Sequence, residues 1–358
     1  MKAPKRARAV ALTVAAGLLA AASPAAAKTH VVHEGQSIQA AIDAAKPGDT
    51  IVVKKGTYKE SLDVAKNGLK LRSQQAVLTK PAVTPMTLCN QFTGGGAATG
   101  ICIHGNVTPN GSGPPTVNST VNKVQVTGFT VKGFGGDGVF IFGAKHTLLK
   151  HDRLSKNDGY GTFSNTSSGT QYIQNVARGN GAPGFYIGDS PNANALIRKN
   201  TSLNNHGEGV LLRSASTGVV ENNKLSGNCA GLLVLADSPG QAGKWLIQSN
   251  QVRKNNRACA ADPADDEPAI SGLGIALLGA DHTKVLNNTV SGNRNLHPSL
   301  ASGGIVVMKG SGGTPPTKDV VKGNSAHEND PFDLQWDGTG TVQFKKNNCG
   351  KSSPSNLC

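Results

Sequence analysis

The sequence predicts an all-β solenoid, in which one chain winds through a series of stacked coils. Three observations predict this class: a nine-residue frame that recurs along the chain, a short apolar segment after each copy, and helical periodicity at the N-terminus alone. The 358 residues include 45 glycines and only 4% aromatic residues. Such a composition suits many short strands joined by tight turns.

The recurring frame begins with an apolar residue and carries a polar residue, usually asparagine, at its fourth and ninth positions, as in "VENNKLSGN" (220–228) and "VLNNTVSGN" (285–293). Asparagine favours turns, and equivalent side chains in stacked coils can bond to one another and to turn backbone. We therefore expect two structural ladders rather than catalytic groups. The first is Asp152, Asn175, Asn200, Asn223, Asn250, Asn288 and Asn324, and the second is Asn157, Asn180, Asn205, Asn228, Asn255, Asn293 and Asn329.

The N-terminal segment predicts a short helix that covers the first coil. Ser37 can cap it, and Pro47 and Gly48 end it before the strand "TIVV". A solenoid must cover its open end, so we expect residues of about 36–60 to form an N-terminal cap. The apolar face of this helix is expected to consist of Ile38, Ala41, Ile42 and Ala45.

This N-terminal segment and the asparagine-rich frames resemble those of secreted right-handed parallel β-helix proteins, the pectate-lyase-like superfamily. The resemblance covers most of residues 30–349. It implies a single-stranded right-handed parallel β-helix with a short N-terminal capping helix. The superfamily includes lyases, hydrolases, epimerases and non-enzymes, so it leaves the activity open.

Residues 1–27 have the pattern of a secretory signal, with basic residues before an alanine-rich apolar run and "AAA" at 25–27. Residues 28–358 are then the β-helix domain, secreted and extracellular, with no membrane span. This domain keeps 32 Lys and Arg against 22 Asp and Glu, a net charge of +10. The excess favours anionic partners, although a merely soluble basic surface explains it equally well.

Six cysteines in an exported chain predict disulfides. Cys229 and Cys259 closely follow second-ladder asparagines in successive copies, so they should lie near one corner of adjacent coils and pair. The remaining expected pairs are Cys349–Cys358, which closes the tail 349–358, and Cys89–Cys102, which closes a local loop.

The apolar strand after each frame offers a candidate binding face, because alternate strand residues point outward. Counting from the glycine before each strand places Phe163 in one outward row with Phe142 and Arg213. Aromatic side chains on this face can stack on sugar rings, with Asp189 meeting hydroxyls or a metal. The candidate substrate-binding residues are Phe140, Phe142, Phe163 and Asp189.

The same face carries candidate catalytic residues: Arg213, Tyr186 and Lys145. A guanidinium neutralises the carboxylate of a uronate sugar and lowers the barrier to removing the neighbouring proton. Arg213 is the electrostatic candidate, and Tyr186 or Lys145 the base. The alternative is that long loops pack over the apolar stripe and bury it.

Three carboxylates precede these strands, Asp137, Asp158 and Glu208, and they share a register by the same count. They could bind calcium or act as acid and base, although turn geometry alone also favours Asp before glycine. Near the C-terminus, "DPFD" (330–333) resembles the Asp-Pro-His-Asp box of β-helix mannuronan C5-epimerases. Phe332 stands there where that family has its catalytic histidine.

Together these features predict a secreted β-helix protein that acts on acidic, uronate-containing polysaccharide, by β-elimination. Calcium is the one cofactor to expect. Acidic polysaccharide is the expected partner, with no nucleic acid and a monomeric state. The competing class is a non-catalytic polysaccharide-binding or cell-wall-associated structural protein, which an outward stripe sealed by loops would favour.

Overall fold

The computed structural model describes residues 26–92, 96–110, 113–261 and 268–358. The predicted signal, residues 1–27, lies almost entirely outside these ranges and stays a prediction. Across the described ranges the chain forms a right-handed parallel β-helix, which confirms the predicted fold class.

Each coil crosses three parallel sheets in turn. The first sheet consists of Thr29–Val32, Thr50–Val53, Lys70–Ser73, Gln125–Thr127, Leu148–Lys150, Gln171–Ile173, Ala195–Arg198, the second half of Glu208–Glu221, Gly243–Gln248, Lys284–Leu286, Thr317–Lys322 and Thr341–Lys345. The second sheet consists of Gly56–Lys59, Ala76–Thr79, Thr130–Lys132, Arg153–Ser155, Val176–Arg178, Thr201–Leu203, Lys224–Ser226, Gln251–Arg253, Thr289–Ser291, Ser325–His327 and Asn348–Cys349.

The third sheet carries the candidate binding face. It consists of Leu62–Val64, Ile101–His104, Val139–Phe142, Thr162–Asn165, Phe185–Ser190, the first half of Glu208–Glu221, Ala230–Leu235, Leu273–Leu278, Gly303–Met308, Leu334–Trp336 and Ser352–Ser353. An antiparallel hairpin, Asn106–Asn110 with Gly113–Ser119, and the two-residue pair Val121–Asn122 with Ala144–Lys145 lie beside it.

The interior of the solenoid is apolar because the middle residue of each short strand points inward. In the first sheet Val126, Leu149, Tyr172 and Ile197 align in successive coils and are fully buried. The third sheet adds inward residues such as Ile187. This continuous core explains why single coils need no core of their own.

The two asparagine ladders hold the corners of the coils. In each ladder the backbone N–H of one residue donates to the side-chain oxygen of its equivalent in the next coil, at 2.8–3.2 Å. The ladders begin at Phe129 and Phe134, and the first extends one coil further than predicted, to Asn347. The structural interpretation of the asparagines is confirmed.

The capping helix is Ile38–Ala44, and the predicted apolar side chains Ile38 and Ile42 are buried beneath it. The Ser37 hydroxyl accepts the N–H of Ala40 at 3.1 Å. The Glu60 carboxylate accepts two further N–H groups of the first turn at 2.9 Å. A carboxylate at this end favours the helix through its dipole.

Three disulfides join the cysteines as the sequence predicts: Cys89–Cys102, Cys229–Cys259 and Cys349–Cys358. The first holds a short helix that the sequence did not predict, Leu88–Phe92, against the third sheet. A single 3-10 turn, Ser311–Gly313, lies in another loop beside that sheet. In the described part of the chain, no helix has the length and apolar character needed to cross a membrane.

Candidate functional site

The outer face of the third sheet has a different register from the predicted one. Phe163 pairs with Phe140 on one side and with Tyr186 on the other, so it does not share a row with Phe142. The prediction counted from Gly159, whereas Gly161 is the residue equivalent to the glycine before each neighbouring strand. The two-residue shift changes which side chains meet.

Phe140 and Phe142 are buried and do not form an open sugar platform. Their exposed fractions are 1% and 0%, because the Cys89–Cys102 segment and the hairpin beside it pack over them. Phe92 contacts both rings edge-on, with centroids at 5.7 and 4.8 Å. Their assignment as substrate-binding residues is therefore wrong. The sequence did not show this, because the segment that covers them does not recur in other coils.

Three aromatic side chains form a cluster in the next two coils. The Phe163 and Tyr186 rings stack with centroids 4.5 Å apart and an interplanar angle of 4°. Tyr160 meets both rings edge-on at 4.9 and 5.3 Å. Tyr160 and Phe163 are half-buried, whereas Tyr186 is 6% exposed. This cluster keeps the apolar surface that stacking on a sugar requires.

The Tyr186 side chain leans along its own strand over Gly188. A Cβ atom at Gly188 would overlap the Tyr186 hydroxyl, so the glycine provides the space that the phenol occupies. Gly188 pairs with Asn165 in the coil before and with Arg213 in the coil after. The hydroxyl therefore lies in the outward row between these two polar residues.

Arg213 is the cation of this row, and an aspartate orients it. Its Nε donates to both carboxylate oxygens of Asp237, at 3.1 and 3.0 Å. The Ser214 hydroxyl donates to the same carboxylate at 2.5 Å. With 27% of its side chain exposed, Arg213 can still reach a ligand.

Asp189 follows Gly188 directly and lies on the same side of the site. Its Oδ2 accepts the amide of Asn165 at 2.7 Å. The side chain is exposed, and its backbone has a positive φ of 45°. The structure thus brings Tyr186, Arg213 and Asp189 into adjacent coils, with Asn165 on the side of the row away from Arg213.

Lys145 does not join this group. It lies three residues beyond Phe142, and Phe142 is three coils away from Arg213 in the paired rows. Three coils correspond to about 14 Å along the axis. Lys145 is exposed, at a corner beside Asn122. Its assignment as a base acting with Arg213 is therefore wrong, because the turn after its strand carries it off the outer face.

A groove of about 1370 Å³ opens beside Arg213. Its lining combines leucine side chains with polar groups that include Glu208 and Asp237. The walls come from loops that follow the second ladder and the third sheet in later coils. The residues that line it include Tyr160, Pro183, His206, Leu211, Leu233, Leu235, Ala258, Cys259, Ile270, Leu278, Leu300, Met308 and Lys309.

The loops that make these walls also cover part of the apolar stripe. Leu211, Leu233, Leu278 and Val306 are at most 4% exposed, under a cluster that includes Ile270. Both interpretations of the stripe thus apply, each to different coils. Phe140 and Phe142 are covered, whereas the groove lies over the later coils, where Leu211, Leu233 and Leu278 line it despite their low exposure.

His206 adds a neutral imidazole to the groove. Its Nε2 lies 3.0 Å from Nη1 of Arg257. Burial and the adjacent Arg257 cation both lower the pKa of His206. Because Arg257 can only donate, Nε2 of this histidine is the acceptor, and the proton belongs on Nδ1.

The predicted metal ligands do not form a site. Asp158 lies two residues ahead of the register shared by Asp137 and Glu208, and those two are three coils apart, about 14 Å. Calcium needs its oxygen ligands around one ion at 2.3–2.6 Å. Asp137 is buried and accepts the N–H of Tyr160 at 2.8 Å. This assignment is wrong, again because the count began at Gly159.

Among the described residues, one group of potential ligand atoms is close enough for a metal ion: Asp63, Cys102 and His104. Cys102 is in a disulfide and offers no thiolate. His104 lies 2.7 Å from Asp63 and 2.6 Å from the carbonyl of Gly105 through its two ring nitrogens. Burial opposes the charge, but these hydrogen bonds outweigh it and raise the pKa of His104. His104 and Asp63 are therefore hydrogen-bonding partners of each other.

The "DPFD" segment has a structural role at the end of the second ladder. Asp333 is 4% exposed, and its Oδ1 accepts the Asn329 backbone and side-chain amides at 3.0 and 2.9 Å. Its Oδ2 accepts the N–H groups of Gly350 and Lys351 at 3.0 and 3.2 Å. Asp333 thus takes the place of the next ladder side chain for Asn329 and also binds the backbone of the last coil.

Sequence reasoning missed four groups of the site: Tyr160, Asn165, His206 and Asp237. Tyr160 and Asn165 belong to the coil whose register was misjudged. His206 lies in a corner, beside a ladder asparagine that looked purely structural. Asp237 comes two residues after the strand Ala230–Leu235, in the coil after Arg213, and no repeated position marked it in the sequence.

The chain belongs to the right-handed β-helix family, whose model matches residues 63–352. No curated protein sequence matches it. Among solved structures, it is similar to the A-module of the mannuronan C-5 epimerase AlgE4 from Azotobacter vinelandii. That similarity has a TM-score of 0.58 and 16% identity, over 87% of this chain and 90% of the other.

Two further structures have the same fold. The alginate lyase of Paenibacillus sp. str. FPU-7 has a TM-score of 0.52 and 15% identity, over 91% of this chain and 99% of the lyase. The catalytic domain of a GH87 alpha-1,3-glucanase has a TM-score of 0.58 and 14% identity, over 92% of this chain and 66% of the other. At these identities the likeness is one of fold.

Proposed function

We propose that the protein acts on an acidic, uronate-containing polysaccharide and cleaves it by β-elimination. The observation that carries the proposal is the position of the Tyr186 hydroxyl over Gly188, next to Arg213 in the outward row. The groove beside it is lined by leucines together with polar groups such as Glu208, Arg213 and Asp237, the mixture of side chains that ligand sites use. Solved structures with the same fold include enzymes named for alginate and glucan.

Arg213 is placed to hold the sugar carboxylate. Asp237 fixes the guanidinium through Nε, which orients the group toward the groove. A cation on the carboxylate stabilises the negative charge that develops when the adjacent carbon loses its proton. Tyr160 and Phe163 supply the surface on which a neighbouring sugar ring can stack.

Tyr186 is the acid–base group in this proposal. As a phenolate, Tyr186 takes the proton from the carbon that bears the carboxylate, and the electron pair forms a double bond to the next ring carbon. The glycosidic bond at that carbon breaks, and the leaving oxygen receives the proton from the Tyr186 phenol, which returns to the phenolate. The products are a new sugar hydroxyl and an unsaturated uronate. Atoms and charge balance in this reaction without a metal ion. We treat calcium only as a condition to vary in the assay, because the three carboxylates predicted to bind it lie apart.

The second candidate is a non-catalytic polysaccharide-binding protein. The covered rows of the stripe favour it, because loops bury most of the surface that a long substrate would cross. In either case we place the protein outside the cell, as a monomer, after removal of residues 1–27. N-terminal sequencing and sedimentation of the exported protein test these two statements.

The deciding experiment incubates purified protein with a panel of polyuronates and glycosaminoglycans, with and without calcium. Ultraviolet absorbance reports the unsaturated uronate that elimination alone produces. A rise on one polymer is the expected result. A flat signal on every polymer, together with co-sedimentation on one of them, would replace the lyase with the binding protein.

Variants then test the site on the polymer that reacts. We expect Arg213→Ala to lower kcat/KM by roughly 100-fold or more, as the loss of a charge-stabilising donor does in other enzymes. Tyr186→Phe keeps the ring stack and removes only the hydroxyl, so it should lower kcat more than it changes KM. Arg72→Ala, on the exposed face of the first sheet, is the matched control. Equal activity of Arg213→Ala and Arg72→Ala would refute the site.

A further inference from the structure

The outer face of the second sheet carries a regular array of exposed cations. Between residues 128 and 255 every coil contributes at least one, either from a strand or from the corner beside it. We call this surface the basic face, and it consists of Lys132, Arg153, Lys156, Arg178, Lys199, Lys224, Arg253 and Lys254, all of them exposed.

Strand pairing places these cations in two rows along the solenoid. Arg153 and Lys224 share one row, three coils apart, through pairs that include Thr201. The other row contains Lys132, Arg178 and Arg253. The six coils involved span about 24 Å along the axis. A straight array of this kind fits an extended polymer better than a compact ligand.

Almost no negative charge offsets the array. The segments 128–134, 151–157, 174–180, 199–205, 222–228 and 249–255 contain one carboxylate, Asp152, and it is buried in the first ladder. Within the described ranges no ion pair involves a cation of the basic face. The cations thus produce an unbalanced positive field over an ordered sheet surface.

The remaining outward residues of the same strands favour a carbohydrate over a nucleic acid. They are mostly hydroxyl side chains, such as Thr130, Ser155, Thr201, Ser226 and Thr289. Hydroxyls can exchange hydrogen bonds with sugars. The rows contain no aromatic residue between 130 and 291, so bases would find no stacking platform.

We propose that the basic face binds an extended, carboxylate-bearing polysaccharide along the solenoid axis. It is a second surface, on a different sheet from the groove, and it does not depend on the chemistry proposed there. Its role is to hold the protein on an anionic polymer matrix.

The test compares two triple variants of the full mature chain. One removes a row of the basic face: Lys132→Gln, Arg178→Gln and Arg253→Gln. The control makes the same change of net charge on exposed first-sheet lysines: Lys284→Gln, Lys322→Gln and Lys345→Gln. Retention on immobilised polyuronate is measured at low and high salt, after circular dichroism shows that both variants are folded.

At roughly 50 mM salt we expect the basic-face variant to bind about tenfold more weakly, and the control to change less than about twofold. The basic-face variant should keep the kcat of the parent on short uronate oligomers, because none of its three changed residues lines the groove, and this separates the two surfaces. Equal losses in both triple variants would mean that net charge alone attracts the polymer, and would overturn the proposal. Tighter binding to single-stranded DNA, lost in the basic-face variant, would overturn the choice of partner.

Discussion

Asp152 occupies a ladder position that asparagine fills in every later coil. Its Oδ1 accepts the N–H of Phe129 at 2.8 Å, as an asparagine oxygen would. Its Oδ2 has no hydrogen-bond partner, whereas the amide of Asn175 donates to the carbonyl of Leu149 at 2.9 Å. For Asp152 the corresponding carbonyl is that of Val126, the residue in register with Leu149. A proton on Oδ2 lets Asp152 imitate asparagine, and burial raises the pKa of Asp152 well above its usual range.

We therefore expect Asp152→Asn to stabilise the protein at pH 7 by about 1–3 kcal/mol. The raised pKa means that the stability contributed by Asp152 is present below pH ~4 and is lost as pH rises. The gain should thus shrink toward pH 4. Urea unfolding at several pH values measures it.

Two control variants complete this test. Asn175→Asp places a carboxyl one coil later in the same ladder and should destabilise at pH 7 by a similar amount. Asp158→Asn changes an exposed side chain and should have little effect. If Asp152→Asn changed the free energy of unfolding no more than Asp158→Asn does, the unpartnered Oδ2 of Asp152 would not affect stability.

The candidate site shows how far single residues could be predicted. Arg213, Tyr186 and Asp189 were found because outward alternation holds within a strand. Their companions Asn165 and Tyr160 were missed because Gly159, two residues before the true strand glycine Gly161, was taken as the start of that strand. Alternation along a strand cannot correct a wrong starting residue. The prediction for Phe140 and Phe142 was wrong for a different reason, because nothing in the neighbouring sequence shows that a loop from elsewhere in the chain covers them.

At the scale of the element, each ladder asparagine serves both neighbouring coils. The Asn250 side chain accepts from the backbone and the side chain of Asn223, and it donates to Val220 and Asn288. Asn250→Ala should cost roughly 2–4 kcal/mol, because buried backbone groups lose their partners. Gln251→Ala, at the exposed position next to it, should stay within about 0.5 kcal/mol. Equal unfolding midpoints for the two would contradict a structural ladder.

The Cys229–Cys259 disulfide fixes one wall of the groove, since Ala258 and Ala260 flank its second cysteine. Replacing both cysteines by alanine should cost about 3 kcal/mol and expose residues 256–270 to proteases. Limited proteolysis with mass spectrometry locates the cuts. The Cys349→Ala/Cys358→Ala variant is the control, and its new cuts should fall in the C-terminal tail. Identical cleavage patterns would show that the first disulfide does not hold the wall.

For the molecule as a whole, buried carboxyl groups set the pH dependence of stability. Burial raises the pKa of Asp137 to about 7 and that of Asp319 to about 8. Both contribute stability below pH ~4 that is lost as pH rises through those values. A hydrogen bond from His30, with backbone N–H groups, lowers the pKa of Asp49, whose contribution is lost in acid instead.

The protein should therefore be most stable at about pH 4, and its stability should fall as the pH rises from there to about 8. The urea midpoint should fall from pH 5.5 to pH 8.5, and Asp137→Asn with Asp319→Asn should flatten that fall. The exposed Asp158→Asn serves again as the control. A midpoint that rose toward pH 8.5 would show that these carboxyl groups are ionised without cost in the folded chain.

The overall architecture was predictable because it repeats. The sequence of one coil alone does not predict the fold. Two ladders of polar residues with equal spacing predict the corners of the coils and the order of the strands. The insertions do not repeat, and they build the groove walls, the cover over the early aromatic residues and the short helix Leu88–Phe92. The site depends most on the parts of the chain that the repeat leaves undetermined.

The ladders also give the solenoid an electrical polarity. Every side-chain carbonyl in them points to the coil before, and every backbone N–H points to the coil after, so their dipoles add along the axis. The C-terminal end of the second ladder is thus positive, and the carboxylate of Asp333 accepts there, as an acidic side chain does at the start of a helix. The N-terminal end is negative, and Asp152 lies at that end of the first ladder. An added coil would have to match this direction, so the two ends of the molecule are not interchangeable sites for extension.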